Sequence, residues 1–342
     1  MQPAPNSPAE LDELMTRPTE GVLSALQKSS GTFAVLGAGG KMGFHLAEMI
    51  RRGLDQLGRD TRVTVVSRFA DANARRKFEQ SKFDVVSADL SDSRQVDRLP
   101  NYDNVFFLAG VKFGTGDQPE LLNQMNVVMP RLVANHYSRS RIVALSTGCV
   151  YSFTTPESGG STEESETSPP GAYAVSCLGR EAEFVQASRQ HGTPVSLIRL
   201  NYSIDLRYGV LLDIAQKVWH QQALDVSMGY ANVIWQGDAV ARLIECLPHA
   251  ASPPFIINIT GPEILRVRDV AQRFGELLGR VPVIEGHEEP TAWLSNSALS
   301  TKLFGRPSVE VSQMIEWTAN WVRLGGETLN KPTHFETRDG DY

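Results

Sequence analysis

The sequence predicts an α/β fold, a doubly wound parallel sheet with a smaller C-terminal α+β substrate lobe, on three observations. Across residues 31–200, short apolar runs rich in β-branched residues alternate with helical stretches, the pattern of successive βαβ units. The runs are nearly continuous in apolar residues, as expected for strands covered on both faces. A glycine-spaced loop, Gly37-Ala38-Gly39-Gly40-Lys41-Met42-Gly43, joins the first run to the first helical stretch.

Taken in order, residues 1–30 carry Pro, Ser and acids with one short amphipathic stretch (Val22, Leu23, Leu26). They read as a prelude that packs on the surface or stays mobile. Strands are expected at 32–36, 62–66, 84–87, 104–108, 141–145 and 194–200, and helices at 41–52, 119–136 and 173–191. Residues 31–200 then form one dinucleotide-binding domain. The polar stretch 152–171 is a loop long enough to cover a site or to be a mobile insertion. Residues 201–324 form the substrate lobe, with helices near 210–222, 237–247, 266–278 and 312–324 and short strands near 232–235 and 255–259. The tail 325–342 is polar and wraps or frays.

Composition excludes several classes. With 41% hydrophobic and 21% charged residues the chain reads as ordinary globular protein. A net charge of −6 leaves no electrostatic footprint for nucleic acid or an anionic membrane. No apolar run is long enough to span a bilayer, and the N-terminus lacks the basic-then-apolar pattern of a signal peptide. The cysteines, Cys149, Cys177 and Cys246, form neither a CxxC pair nor metal-ligand spacing, so a reduced cytoplasmic setting is expected. The histidines are scattered, and no metal site is expected.

The glycine loop carries the first chemistry. Phe33-Ala34-Val35-Leu36 is a buried-strand pattern; Gly37, Gly40 and Gly43 follow at three-residue spacing, then a helical pattern of Leu46, Met49 and Ile50. In a Rossmann-type domain the first glycine permits the tight turn, the second lets backbone approach a pyrophosphate, and the third lets helix and strand pack closely. The helix N-terminus directs free N–H groups at the phosphates. Lys41 adds a cation and Met42 completes the loop. The second strand ends Val66-Ser67-Arg68, where an NAD-selective site usually carries an acid for the ribose 2′-hydroxyl. Ser67 and Arg68 suit a 2′-phosphate instead, which favours NADP over NAD.

With these elements in order, the chain resembles the extended short-chain dehydrogenase/reductase family, of the NAD-dependent epimerase/dehydratase type, over residues 32–324. Ala88-Asp89-Leu90 is similar to the family's adenine-contacting element, so Asp89 and Leu90 are expected at the coenzyme. Leu108-Ala109-Gly110-Val111-Lys112 resembles the fourth-strand end beside pyrophosphate and ribose, which implies cofactor contacts from Ala109, Gly110 and Lys112. Asn126 matches the family's helix asparagine. In Leu145-Ser146-Thr147-Gly148-Cys149-Val150-Tyr151, the resemblance puts Thr147 at the catalytic serine/threonine position. Residues 169–181 resemble the catalytic helix, with Tyr173 as general acid/base at the nicotinamide ribose, and 235–241 and 304–321 resemble the family's C-terminal lobe.

The catalytic helix departs from the family's Tyr-x-x-x-Lys: Tyr173 is followed at i+4 by Cys177. That spacing puts both side chains on one helical face. A thiol supplies no positive charge to favour the tyrosinate, and a thiolate opposes it. Three readings compete: another cation substitutes, Lys112 being the best placed; chemistry proceeds slowly or by another base; or the protein binds dinucleotide without reducing anything. Cys177 as nucleophile competes with an inert filler thiol. At Ile198-Arg199-Leu200-Asn201-Tyr202-Ser203 the family's arginine-to-asparagine spacing is one residue longer.

The implied partner is a small-molecule substrate, sugar-like or another small polar hydroxy or carbonyl metabolite. A homodimer through the helices bearing Leu121, Leu122, Met125 and Val128, and Ala182, Val185 and Ala187, is compatible with the apolar spacing, as is ordinary sheet packing. Glu163, Glu164 and Glu166 read as a solvated face, and Trp219, Trp235, Trp293, Trp317 and Trp321 as packing. Arg207-Tyr208-Gly209 reads equally as a turn or an anion contact.

Overall fold

The computed structural model describes residues 3–70, 72–112 and 118–340. Its central sheet is built from β1 (Phe33–Leu36), β2 (Val63–Ser67), β3 (Asp84–Ser87), β4 (Asn104–Phe107), β5 (Arg141–Thr147) and β6 (Val195–Leu200). Beyond β6 come the short strands β7 (Ser203–Ile204), β8 (Ala223–Asp225), β9 (Tyr230–Ala231) and β10 (Ile234–Trp235), then β11 (Phe255–Ile259), β12 (Leu265–Arg266) and β13 (Val283–Glu285). The sheet has the order β11-β6-β5-β4-β1-β2-β3, parallel throughout. Chain order reverses between β1 and β4, and in such sheets ligands bind beyond the carboxyl ends of the strands at that switch point.

Helices cover both faces. On one, α2 (Glu20–Gln27), α3 (Gly43–Gln56), α4 (Ala72–Gln80), α10 (Gln236–Glu245) and α12 (Ala298–Phe304) contribute to a core that includes Val22, Leu46, Ile50, Phe78, Val240 and Ile244. On the other, α5 (Ser93–Val96), α7 (Met129–His136) and α8 (Ala172–His191) bury Val96, Val133 and Phe184. Between them, α6 (Pro119–Asn123) runs through a π-turn (Gln124–Val128) into α7. A third core joins α1 (Pro8–Met15) to α9 (Val210–Trp219), α11 (Val267–Leu278) and α13 (Val311–Arg323), with Trp235 edge-on to Trp317 at 5.5 Å.

Two expectations change. The run at 255–259, expected in the C-terminal lobe, is the seventh strand of the main sheet, and α10 packs on the dinucleotide half, so the chain enters the lobe with α9, returns to the first domain through α10 and β11, and re-enters the lobe with α11. A continuous apolar run reads alike in either place. The prelude is integral, not peripheral: Ser7 caps α1, Leu11 and Met15 are fully buried, and Asp12 accepts hydrogen bonds from Lys77 (2.6 Å) and Arg207 (2.9 Å) and pairs with His45 (2.8 Å). The tail wraps, burying Thr333 and Phe335 and holding Thr291 through Arg338. Residues 1–2 and 341–342, the ends of prelude and tail, lie outside the described residues. Among the described residues no helix is long and apolar enough to cross a membrane, and no cluster of His, Cys, Asp and Glu could hold a metal ion.

Candidate active site

The glycine loop leaves β1 under the carboxyl end of β2: the amides of Gly37 and Ala38 both donate to the Val66 carbonyl, at 2.8 and 3.1 Å. Gly37 has φ +82°, and a Cβ there would stand 2.6 Å from the Ala109 nitrogen, so only glycine fits between β1 and the end of β4. At Gly43 a Cβ would meet the Ala38 carbonyl oxygen at 2.1 Å, which is how α3 comes so close to β1. The loop opens on a cleft of 380 Å³ lined by Gly37, Gly39, Gly40, Ser67, Arg68, Asp89, Leu90, Ala109 and Gly110. These are expected coenzyme residues, brought together from the ends of β1, β2, β3 and β4. A dinucleotide fits the cleft's chemistry: at Gly39 a Cβ would press on Ser67 Oγ at 2.7 Å, so side chains larger than hydrogen would fill the cradle. Hydrogen bonds from Ser91, joined by the nearby Arg68 guanidinium, hold the Asp89 carboxyl below its ordinary range.

Beside this cleft lies a second hollow of 200 Å³, lined by Lys41, Met42, Lys112, Thr147, Cys149, Tyr173, Tyr202, Tyr208 and Thr333 among others. Tyr173 stands in the first turn of α8, Thr147 at the end of β5, and Lys112 Nζ is 5.8 Å from the centre of the Tyr173 ring. Thr147 Oγ1 accepts the Cys149 amide at 3.2 Å.

Cys177 is wholly buried among Val150, Tyr151 and Leu178 and lines neither hollow. Burial pushes its thiol pKa up, which suits an inert filler better than a nucleophile. Burial, and then Cys177 itself, push the Tyr173 hydroxyl well above the usual tyrosine range, while the Arg180 guanidinium pulls the other way. Arg180 is the residue sequence reading missed. It lies one turn beyond Cys177 on the same face, donating to the Leu145 carbonyl (3.1 Å) and Asn126 Oδ1 (2.6 Å). The spacing 173, 177, 180 was the available signal.

Besides Lys112 and Tyr173 in the second hollow, Lys41, Met42 and Asn126 also stand outside the first cleft. Lys41 points across the loop into the second hollow, where Nζ donates to the Ser203 carbonyl at 2.9 Å and stands 4.0 Å from the Tyr208 ring centre. Met42 follows it to the same side. Asn126 is fully buried and saturated: its amide exchanges hydrogen bonds with Val111 N and O and also meets Ser176 and Arg180. It positions the segment carrying Lys112 against α8, with no polar atom left for a ligand. Elsewhere, Glu163 is half-buried and accepts the Asn258 amide of β11 at 2.8 Å. Arg207 is held by Asp12 and Asp205, a structural turn rather than an anion contact, while Tyr208 faces the second hollow.

The model of the NAD dependent epimerase/dehydratase family matches residues 33–202. No curated protein matches the chain by sequence. Among solved structures the chain is similar to UDP-glucuronic acid 4-epimerase from Bacillus cereus in complex with NAD (16% identity, 85% of this chain and 98% of that one, TM-score 0.70). It is also similar to WbmG from Bordetella bronchiseptica in complex with NAD and UDP (17% identity, 89% and 99%, TM-score 0.71). A UDP-galactose 4-epimerase aligns at 23% identity over 85% and 98%, with TM-score 0.67.

Proposed function

Because this chain belongs to the NAD-dependent epimerase/dehydratase family, we propose that it binds a nicotinamide dinucleotide over its glycine loop and acts as an oxidoreductase, epimerase or dehydratase on a sugar-like or other small polar hydroxy or carbonyl metabolite. The carrying observation is the pairing of two hollows walled by the same segments. Gly40 and Gly110 face the first; Lys41 and Lys112, one and two residues on, face the second beside Tyr173 and Thr147. The solved relatives are described with NAD, or with NAD and UDP, which supports placing a coenzyme in the first hollow and a substrate in the second.

In this reading the backbone of Gly37, Gly39 and Gly40 cradles the pyrophosphate, while Asp89, Leu90, Ala109 and Gly110 line the nucleoside ends. When bound, the coenzyme supplies the hydride acceptor and donor. Thr147 hydrogen-bonds the reacting oxygen and Tyr173 moves its proton. Lys112 and Arg180 supply the positive charge that Cys177 does not. The setting is cytoplasmic, and the exposed Leu121 and Val175 on α6 and α8 support a homodimer.

Ser67 and Arg68 on the cleft wall favour NADP. In thermal-shift measurements NADP and NADPH should raise the melting temperature more than NAD and NADH at equal concentration. Arg68→Ala should remove that preference, through loss of a charge-assisted pair worth about 1.5–3 kcal/mol. Equal shifts from all four would reverse the NADP assignment, and no shift from any at millimolar levels would overturn the function itself.

The raised Tyr173 pKa favours one second reading, a dinucleotide-binding protein with little turnover. Single-turnover hydride transfer with candidate sugars separates the two. If Tyr173 moves the proton, Tyr173→Phe should slow the reaction by about 10²–10⁴-fold. A full rate in that variant removes Tyr173 from the chemistry. If the native rate is nil and Cys177→Lys creates turnover while coenzyme affinity holds, the binding-only reading prevails.

A further inference from the structure

We infer that the second hollow takes a substrate bearing a small oxyanion, a carboxylate or phosphate group, held between the ammonium groups of Lys41 and Lys112. The inference rests on the reading of that hollow as the substrate site and adds the chemical class of its occupant.

Two cations line one 200 Å³ space, Lys41 from the glycine loop and Lys112 from the segment after β4. They are close enough for Lys112 to disfavour the charge on Lys41. Lys41 forms no ion pair among the described residues; its ammonium is held by one carbonyl, Ser203 O at 2.9 Å, and the face of Tyr208. The carboxylates that face it are engaged elsewhere. Asp205 holds the Arg207 amide at 2.5 Å and the Arg207 guanidinium at 3.3 Å, and Asp213 accepts from Thr333 N and Oγ1 at 2.8 and 2.6 Å. Burial, opposed by Asp205 and Asp213 and reinforced by Arg207 and Lys112, lowers the Lys41 pKa to about 8. A buried ammonium with spare donors and a like-charged neighbour is a costly arrangement for an apolar or neutral occupant. An anion between the two reverses the sign of that cost, since each ammonium then gains a charge-assisted hydrogen bond. Among the hollow's other polar edges, Thr147 and Tyr173 present hydroxyls suited to the neutral part of a polyol.

The test uses the full chain with ¹³Cε-labelled lysine, observed by NMR with and without saturating coenzyme. Lys41 and Lys112 signals are assigned with Lys41→Gln and Lys112→Gln. The probes are D-glucuronate, D-glucose 6-phosphate and D-glucose. At least one anion should shift both signals and move the Lys41 titration midpoint upward from about 8, whereas glucose should not. The anion that acts distinguishes carboxylate from phosphate. Anion should bind at least about tenfold more tightly than glucose. Lys41→Gln should erase that ratio, and Lys41→Arg should restore most of it. An undisturbed Lys41 signal with both anions, or an unchanged ratio in Lys41→Gln, overturns the inference. The coenzyme arm is separate: failure of all four dinucleotides to bind defeats the broader function, while the lysine response is still read on the chain alone. Retention of the coenzyme thermal shift shows that Lys41→Gln is folded.

Discussion

Gly37→Ala should cost the protein about 3 kcal/mol of stability and weaken dinucleotide binding by about 100-fold or more. Both losses come from one added carbon. Gly37 sits at φ +82°, which strains any L side chain. Its Cβ would lie 2.6 Å from the backbone nitrogen and 2.7 Å from the Cα of Ala109, so the clash is with main chain that cannot rotate away. Relief requires β1 and the end of β4 to part, which widens the floor of the cleft where Ala109 and Gly110 stand. Gly39→Ala is the informative contrast: its Cβ meets only Ser67 Oγ, at 2.7 Å, a hydroxyl that can turn aside. That variant should lose less than about 1 kcal/mol yet still bind coenzyme poorly, because the added methyl protrudes into the cradle. Urea unfolding and coenzyme titration read the two quantities separately. If Gly37→Ala keeps native stability and affinity, the loop does not hold the pyrophosphate in the way described.

How much of this was legible in the sequence depends on how local each signal is. The six strands through residue 200 are apolar runs whose identity as strands is set by their own residues and by the helices between them, and the structure places all six within two residues of the expected ends. β11 carries the same kind of run, Phe-Ile-Ile-Asn-Ile, but which sheet it joins depends on partners on β6 nearly sixty residues earlier, counted from the pairing Phe255 with Ser196. The prelude was undervalued for a related reason. In α1 only Leu11 and Met15 are buried, too few apolar residues to stand out, and their partners come from the C-terminal lobe. In the site, the glycine spacing revealed the cradle, because backbone approach depends on residue size alone. It did not reveal that Lys41 turns away from the cradle, since side-chain direction in a tight loop follows from dihedral angles that neighbouring glycines leave open. Thr333 reaches the second hollow from a tail whose sequence is mostly polar. Cys177 at i+4 from Tyr173 was visible at once; the place of Arg180 was not, because a helix sets it beside Asn126 only after α8 has docked.

Glu181 and Arg199 form a bidentate ion pair at 2.8 and 3.0 Å, each about 5% exposed, joining α8 to β6. Ser146 donates to Glu181 Oε1 at 2.6 Å, and Arg199 Nη1 donates to the Tyr151 hydroxyl at 2.8 Å, which in turn donates to Asn258 of β11. The network therefore ties three adjacent strands to the helix that carries Tyr173. Removing one charge leaves the other buried without a partner, and such losses cost about 3–5 kcal/mol. Glu181→Leu should be destabilised by that amount in urea unfolding and should slow hydride transfer as α8 loses its register against β5. The double variant Glu181→Leu with Arg199→Met should recover most of the stability, since no orphaned charge remains. Recovery of rate is expected to lag behind, because the apolar pair holds the helix without the fork's directional constraint. A Glu181→Leu loss below about 1 kcal/mol, or additive losses in the double variant, would mean that packing around Phe184 and Leu197, rather than the ion pair, docks α8 on the sheet.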